Sequence, residues 1–344
     1  MVLLCWHLIA TFFVGGDNPD IPLCKRLLAP LIENYPNGAI ILFIRARLYL
    51  VSGDVDNAIY FYNKSIRAQD TYQQFHHICY WELTFAYSYL QKWDRAANNA
   101  KRLLDESKWS RCVYTYMLAI IIYADEHTPK RIETVRTLFQ RVPNLRLRIA
   151  GKSIPVEKFC ERKAQRFLRI GKLYFSHYEF IYFWCGFSIC TPIFIENILH
   201  DIELKWRVDP SEDTNDQCLY MFLKGVCLKA LRRSEEAETC FLKILELEGL
   251  LTDYYYIAPN ACFELALTRA ELGRGDEMEV LLTRALAYRG YSLETKLHFR
   301  IHGTLEGIRR NRGIRHLKNP RPSNMSVYTV VNTLYSQKFS ELSN

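Results

Sequence analysis

Two stretches of the chain, far apart, carry the same spacing of small and large residues. The first runs Ala46, Tyr49, Ala58, Tyr62, Ser65, and the second runs Gly225, Leu228, Ala237, Phe241, Ile244. In both, a small residue is followed three positions later by a large one. A second small residue comes twelve after the first, with anchors four and seven further on. Residues three and four apart share one helix face. The pattern therefore describes a helix, a tight turn and an antiparallel helix, with axes about 8–9 Å apart where the small residues cross. Turn chemistry agrees. Gly53 in Ser52-Gly53-Asp54 suits a helix C-cap and Asp54 suits the next N-cap, while Arg232-Arg233-Ser234 forms the polar break in the second pair.

This spacing matches the tetratricopeptide signature. The expected fold class is all-α, with helical hairpins stacked into a right-handed superhelix. At 344 residues the chain exceeds one compact core, but a solenoid escapes that limit because each hairpin packs only on its neighbours. Close helix crossings are expected at Ala46, Ala58, Tyr62, Ala96, Gly225, Ala237, Phe241 and Ala266. The rhythm divides the chain into a repeat array over 1–142, a basic connector with an aromatic helical insert over 143–215, a second array over 216–308, and a basic, flexible tail over 309–344.

The composition excludes disorder: 49% of residues are apolar and 14% aromatic. Eleven cysteines, an odd number without a C-x-x-C, point to reduced thiols in a cytoplasmic protein and not to a secreted disulfide framework. The formal charge of +8 is uneven. Ten basic residues between Arg141 and Lys172 face only Glu157 and Glu161, and seven between Arg300 and Arg321 face only Glu306. Such segments suit an anionic membrane, nucleic acid or an acidic partner, although a solvated helix face and a charged tail are the plainer reading. Nucleic acid is disfavoured because aromatics and cations are not interleaved as on a base-stacking face. Two apolar segments, Met1–Val14 and Phe180–Ile195, are too short to span a bilayer. The first also lacks the cationic start and cleavage site of a signal peptide, and both read as helices of the protein.

Several longer phrases narrow the reading. Tyr35-Pro36-Asn37-Gly38, the run Gln74 to Leu83 (QFHHICYWEL), Ala150 to Pro155 (AGKSIP), Gly290 to Glu294 (GYSLE) and Leu297 to His302 (LHFRIH) occur in order. Between about Leu31 and Ile308 the sequence resembles the tetratricopeptide repeat protein 39 family, which includes the fungal inclusion-body clearance proteins. The resemblance implies a non-enzymatic adaptor, with links to lipid and sterol handling and to protein quality control, and it carries no catalytic residues. Met1 falls inside what resembles an interior repeat helix, so the family's N-terminal portion is expected to be absent.

Three constellations resemble chemistry without its requirements. Gly151-Lys152-Ser153 ends like a phosphate loop, but Arg146 stands where its first glycine belongs. His298 and His302 have zinc-protease spacing, yet Phe299 occupies the position of the general base. His76, His77 and Cys79 lack a second ligand cluster. No cofactor or metal is expected, and the chain is read as a non-enzyme.

The leading expectation is a scaffold that binds protein partners in its concave groove, through exposed first-helix positions such as Arg47, Ser88, Lys229 and Asn260. The rival is a peripheral membrane or lipid-droplet protein. There Lys158, Arg162, Lys163, Arg166 and Arg169 of the basic helix 156–172 would meet anionic lipid, beside the aromatic segment 180–195.

Overall fold

The hairpins are closed by one recurrent turn. After the helices ending at Val51, Tyr89, Ala230 and Glu271, a single residue takes left-handed backbone: Gly53, Gln91, Arg232 and Gly273 respectively. The next N–H then donates to the carbonyl five residues back, from Asp54 to Tyr49, Lys92 to Tyr87, Arg233 to Leu228 and Arg274 to Arg269. This closure satisfies the last free carbonyls of the first helix and reverses the chain. Asp54 caps the following helix, its Oδ1 accepting from the Asn57 N–H at 3.2 Å.

The computed structural model describes residues 1–11, 19–125, 128–149 and 152–316. Part of the Met1–Val14 segment, Gly151 and most of the tail expected over 309–344 lie outside the described residues. In chain order the helices begin with α1 (Val2–Cys5, continued by a π turn over Trp6–Ala10), α2 (Ile21–Asn34), α3 (Ala39–Val51) and α4 (Val55–Arg67). Next come α5 (Gln73–Tyr89), α6 (Trp93–Glu106), α7 (Arg111–Ala124) and α8 (Pro129–Arg141). The middle holds α9 (Pro155–Ile170), α10 (Ser176–Phe183) and α11 (Pro192–Val208). The chain continues through α12 (Thr214–Ala230), α13 (Ser234–Glu246), α14 (Ile257–Glu271), α15 (Gly275–Ala287) and α16 (Glu294–His316). The connector before α9 contains β1 (Arg148–Ile149) and β2 (Lys152–Ser153), an antiparallel pair with Arg148 opposite Ser153. Met1–Thr304 form one compact unit, and Leu305 onward belongs to a second.

Within the first unit the architecture is a stack of antiparallel helix pairs, an α-solenoid. Pairs α3/α4, α5/α6, α7/α8, α12/α13 and α14/α15 pack face to face. Ala46, Ala58, Tyr62, Ala96, Ala237, Phe241 and Ala266 are all fully buried at these crossings. Gly225 shows why the site is small: a Cβ there would lie 2.7 Å from Cε1 of Phe241. Gly225→Leu, Ala58→Leu and Ala237→Leu should each overpack a crossing and cost about 1–3 kcal/mol. Thermal melts check this, and unchanged melting temperatures in all three would refute the close crossing.

Along α3–α8 each helix packs against the next after a short connection, so the within-hairpin turns lie on one edge and the linkers between hairpins on the other. There the two edges differ in chemistry. Their linkers expose Tyr35, Tyr72, Trp109 and Leu147, whereas the described within-hairpin turns expose no large apolar side chain.

Candidate functional site

The insert expected between the two arrays sits against their first helices. Gly171, with φ +77°, ends α9, and two non-glycine residues with left-handed backbone, Phe175 and Cys185, bracket α10. Every residue of α10 is buried. Its rings meet rings from both arrays. Phe180 stacks on Phe85 of α5 at 6.1 Å and packs on Tyr116 of α7 at 5.8 Å. Phe183 meets Phe159 of α9 at 5.1 Å, and Tyr182 meets Phe222 of α12 edge-on at 4.8 Å. Just beyond the helix, Trp184 lies 4.9 Å from Trp81. Aromatic pairs of this kind add to the apolar burial of each ring.

Several polar groups of the insert are paired as well. Tyr178 accepts from Gln91 Nε2 at 2.6 Å and donates to Asp201 at 2.9 Å. Tyr182 donates to Glu264 Oε1 at 2.8 Å and accepts from Arg300 at 2.7 Å. Glu264 in turn holds Lys229 and Arg300 as ion pairs. Burial alone would raise the Glu264 carboxyl, but the two cations prevail and hold it down at about 2. One turn earlier on α10, Glu179 receives Lys163 of α9 at 2.8 Å and the hydroxyl of Tyr256. Burial draws the Lys163 ammonium below the ordinary lysine range even beside that carboxylate. The ammonium also lies 3.8 Å from the centre of the Tyr254 ring.

The groove positions need correction. Arg47, Ser88 and Asn260 are buried, not exposed. Arg47 is paired with Glu82 at 2.6 Å and also donates to the Leu8 carbonyl. Ser88 donates to the Thr84 carbonyl at 2.8 Å. Asn260 accepts from Tyr182 and donates to the Tyr256 carbonyl. Lys229 is half-buried, and its charge is spent on Glu264. Around Asn260 and Lys229 the inner face is covered by the chain's own aromatic helix, whose Tyr182 bonds both Asn260 and Glu264.

The basic helix needs the same correction. Lys163 and Arg166 are buried and point away from solvent. Arg166 binds Asp213 and Asp216, each at 3.0 Å, and also Asp253, which it shares with Arg169. Arg162 is exposed and donates to Ser292, while Lys158 is exposed. Part of the expected cationic face is thus internal, tying α9 to α10 and to the second array. In the aromatic segment 180–195 the rings of Phe180, Tyr182, Phe183 and Phe187 are buried, and those of Trp184 and Phe194 are half-buried. No described helix is long and apolar enough to cross a membrane.

The remaining constellations have structural partners. His76 bonds the Gln69 carbonyl at 2.7 Å, and His77 faces Glu106 at 3.5 Å. Among the described residues no three His, Cys, Asp or Glu side chains converge as a metal site. Burial raises the Cys79, Cys112 and Cys190 thiols to about 12, so they stay protonated and are weak nucleophiles at neutral pH. What sequence reasoning missed is the role of the insert. A signal for it existed in Glu179, a lone acid inside the aromatic block, which demands a buried cation.

Comparison with known proteins adds identity to this geometry. The model of the Iml2/Tetratricopeptide repeat protein 39 family matches residues 1–231. The chain belongs to this family. A general tetratricopeptide repeat model also matches residues 220–249, the α12/α13 hairpin. Tetratricopeptide repeat protein ttc-39B of Caenorhabditis elegans is 50% identical over 310 residues, covering 89% of this chain and 54% of the relative. The chain therefore spans about half the length of that curated Iml2/Tetratricopeptide repeat protein 39 relative.

Proposed function

We propose that this chain is a non-enzymatic scaffold that holds protein partners on the outer faces and edges of its solenoid, not in its inner groove. The observation that carries this reading is the occupied inner face. Tyr182 and Phe180 engage the first-helix side chains Glu264 and Phe85 that a groove ligand would need, and Glu179 ties the same helix to Lys163 of α9. Repeat solenoids offer extended surfaces for partners, and here the remaining surface is the second helices and the two edges. Reduced, buried thiols favour the cytoplasm. A role in lipid or sterol homeostasis, or in protein quality control, follows from the family alone.

Cross-linking mass spectrometry on complexes recovered from cells tests the reading. Partner cross-links should fall on exposed outer lysines such as Lys25, Lys101 and Lys130. They should be absent from Lys296, which lies 5.3 Å from the Trp184 ring on the inner side. Partner cross-links concentrated at Lys296 would place the ligand in the groove and overturn the proposal.

A further inference from the structure

The linker edge has a centre that neither array's packing explains. Trp109, between α6 and α7, is 82% exposed, and Leu147, in the connector before α9, is 44% exposed. Both are held in place by one carboxylate. Glu157 is fully buried, accepting the Ser110 hydroxyl on one oxygen and the Leu147 N–H on the other, each at 2.6 Å. One carboxylate thus joins the residue after Trp109 to the backbone of Leu147, bringing the two exposed segments to the same part of the surface.

Cations surround them. Lys108 and Arg111 flank Trp109, Arg148 follows Leu147, and Lys158 follows Glu157 on the first turn of α9. All four are exposed, and none forms an ion pair with a carboxylate among the described residues, unlike Arg146, Arg166, Arg169 and Lys172 of the same basic region. Of the nearby acids, Glu161 is engaged by Arg146, Asp105 by Lys101 and Glu157 as described, while Glu106 lies 3.5 Å from His77.

We propose that this edge docks on an anionic lipid bilayer, with Trp109 and Leu147 entering the interfacial layer and Lys108, Arg111, Arg148 and Lys158 meeting lipid headgroups. An indole is most at home at the boundary between headgroups and hydrocarbon. Clustered Lys and Arg near such an anchor add attraction for anionic lipid, and two signals together give stable attachment. Trp109 and Leu147 are exposed beside cations that form no carboxylate pair among the described residues, the combination of an apolar anchor and positive charge that an anionic bilayer takes up. This surface takes only Lys158 from helix 156–172 and no residue from segment 180–195.

The test is flotation of the full chain with vesicles of phosphatidylcholine alone and of phosphatidylcholine with phosphatidylserine. The chain should float only with the anionic vesicles, and less so as salt screens the cations. Trp109→Ala, and Lys108→Glu with Arg111→Glu, should each lower the bound fraction by roughly tenfold. These side chains are exposed, so circular dichroism and melting should stay unchanged. Wild type that fails to float, or variants that float equally well, would overturn the proposal. So would capture of an acidic poly-glutamate peptide that is lost in the same variants while vesicle binding is not, since that assigns the patch to a protein.

Discussion

Glu179→Ala should destabilise the protein by about 3–5 kcal/mol, because it strands the Lys163 ammonium in the core beside Tyr254. That pair is 2% exposed on both sides, and the Tyr256 hydroxyl also relies on Glu179. For a unit this large the loss should lower the melting temperature by roughly 5–8 °C. The damage should be centred on the insert. Limited proteolysis should cut faster between Phe175 and Cys185, the residues with left-handed backbone at either end of α10. A melting temperature within a degree or so of wild type would mean that Lys163 and Glu179 do not hold the insert.

The double variant Lys163→Met with Glu179→Leu separates charge from position. Replacing both partners of a buried pair by apolar groups of similar size is often neutral or stabilising. The double variant should therefore recover most of the stability lost in Glu179→Ala. Recovery would show that the ion pair specifies where α10 sits more than it strengthens the fold. Failure to recover, with the single variant behaving as expected, would point instead to the hydrogen bond from Tyr256.

The helix hairpins were legible in the sequence because their information is local. Ala46 with Ala58, and Gly225 with Ala237, report a helix crossing through spacing alone, and Gly53 with Asp54 reports the turn between them. Each unit packs on its neighbour, so a window of some thirty-odd residues contains the cause. The insert carries no such period. Its position is fixed by Lys163, Asp201, Asn260, Glu264 and Arg300, drawn from four other helices and far apart in sequence. For the same reason Arg47, Ser88 and Asn260 could be placed on first helices but not judged for exposure. Whether such a position meets solvent or another part of the chain depends on a segment that the repeat pattern does not describe. The basic helix misled in a related way. Charge counted along the sequence cannot separate Lys158, which faces water, from Lys163 and Arg166, which face Glu179 and Asp216. A helix turns these positions onto different faces, and only the acidic partners decide which face is internal.

Glu264 makes the same inner network sensitive to acid. Its ordinary carboxyl value of 4.5 falls to about 2 in the folded chain, where Lys229, Arg300 and the Tyr182 hydroxyl surround it. The folded value lies below the unfolded one, so the stabilisation is fully present above about 4.5 and is lost as pH falls toward about 2. A shift of that size corresponds to roughly 3 kcal/mol at neutral pH. Glu264→Gln removes the charge while keeping the shape and an acceptor for Tyr182. At pH 7 it should unfold at lower denaturant by about that free energy, or somewhat more, since two half-buried cations lose their counter-ion. As the pH is lowered from about 5 to about 2 the gap between variant and wild type should close, because a protonated Glu264 carries no more charge than the glutamine that replaces it. Comparing the two proteins cancels every other titrating acid, so a gap that stays constant across this range would exclude Glu264 as the acid-sensitive tie between the insert and the second array.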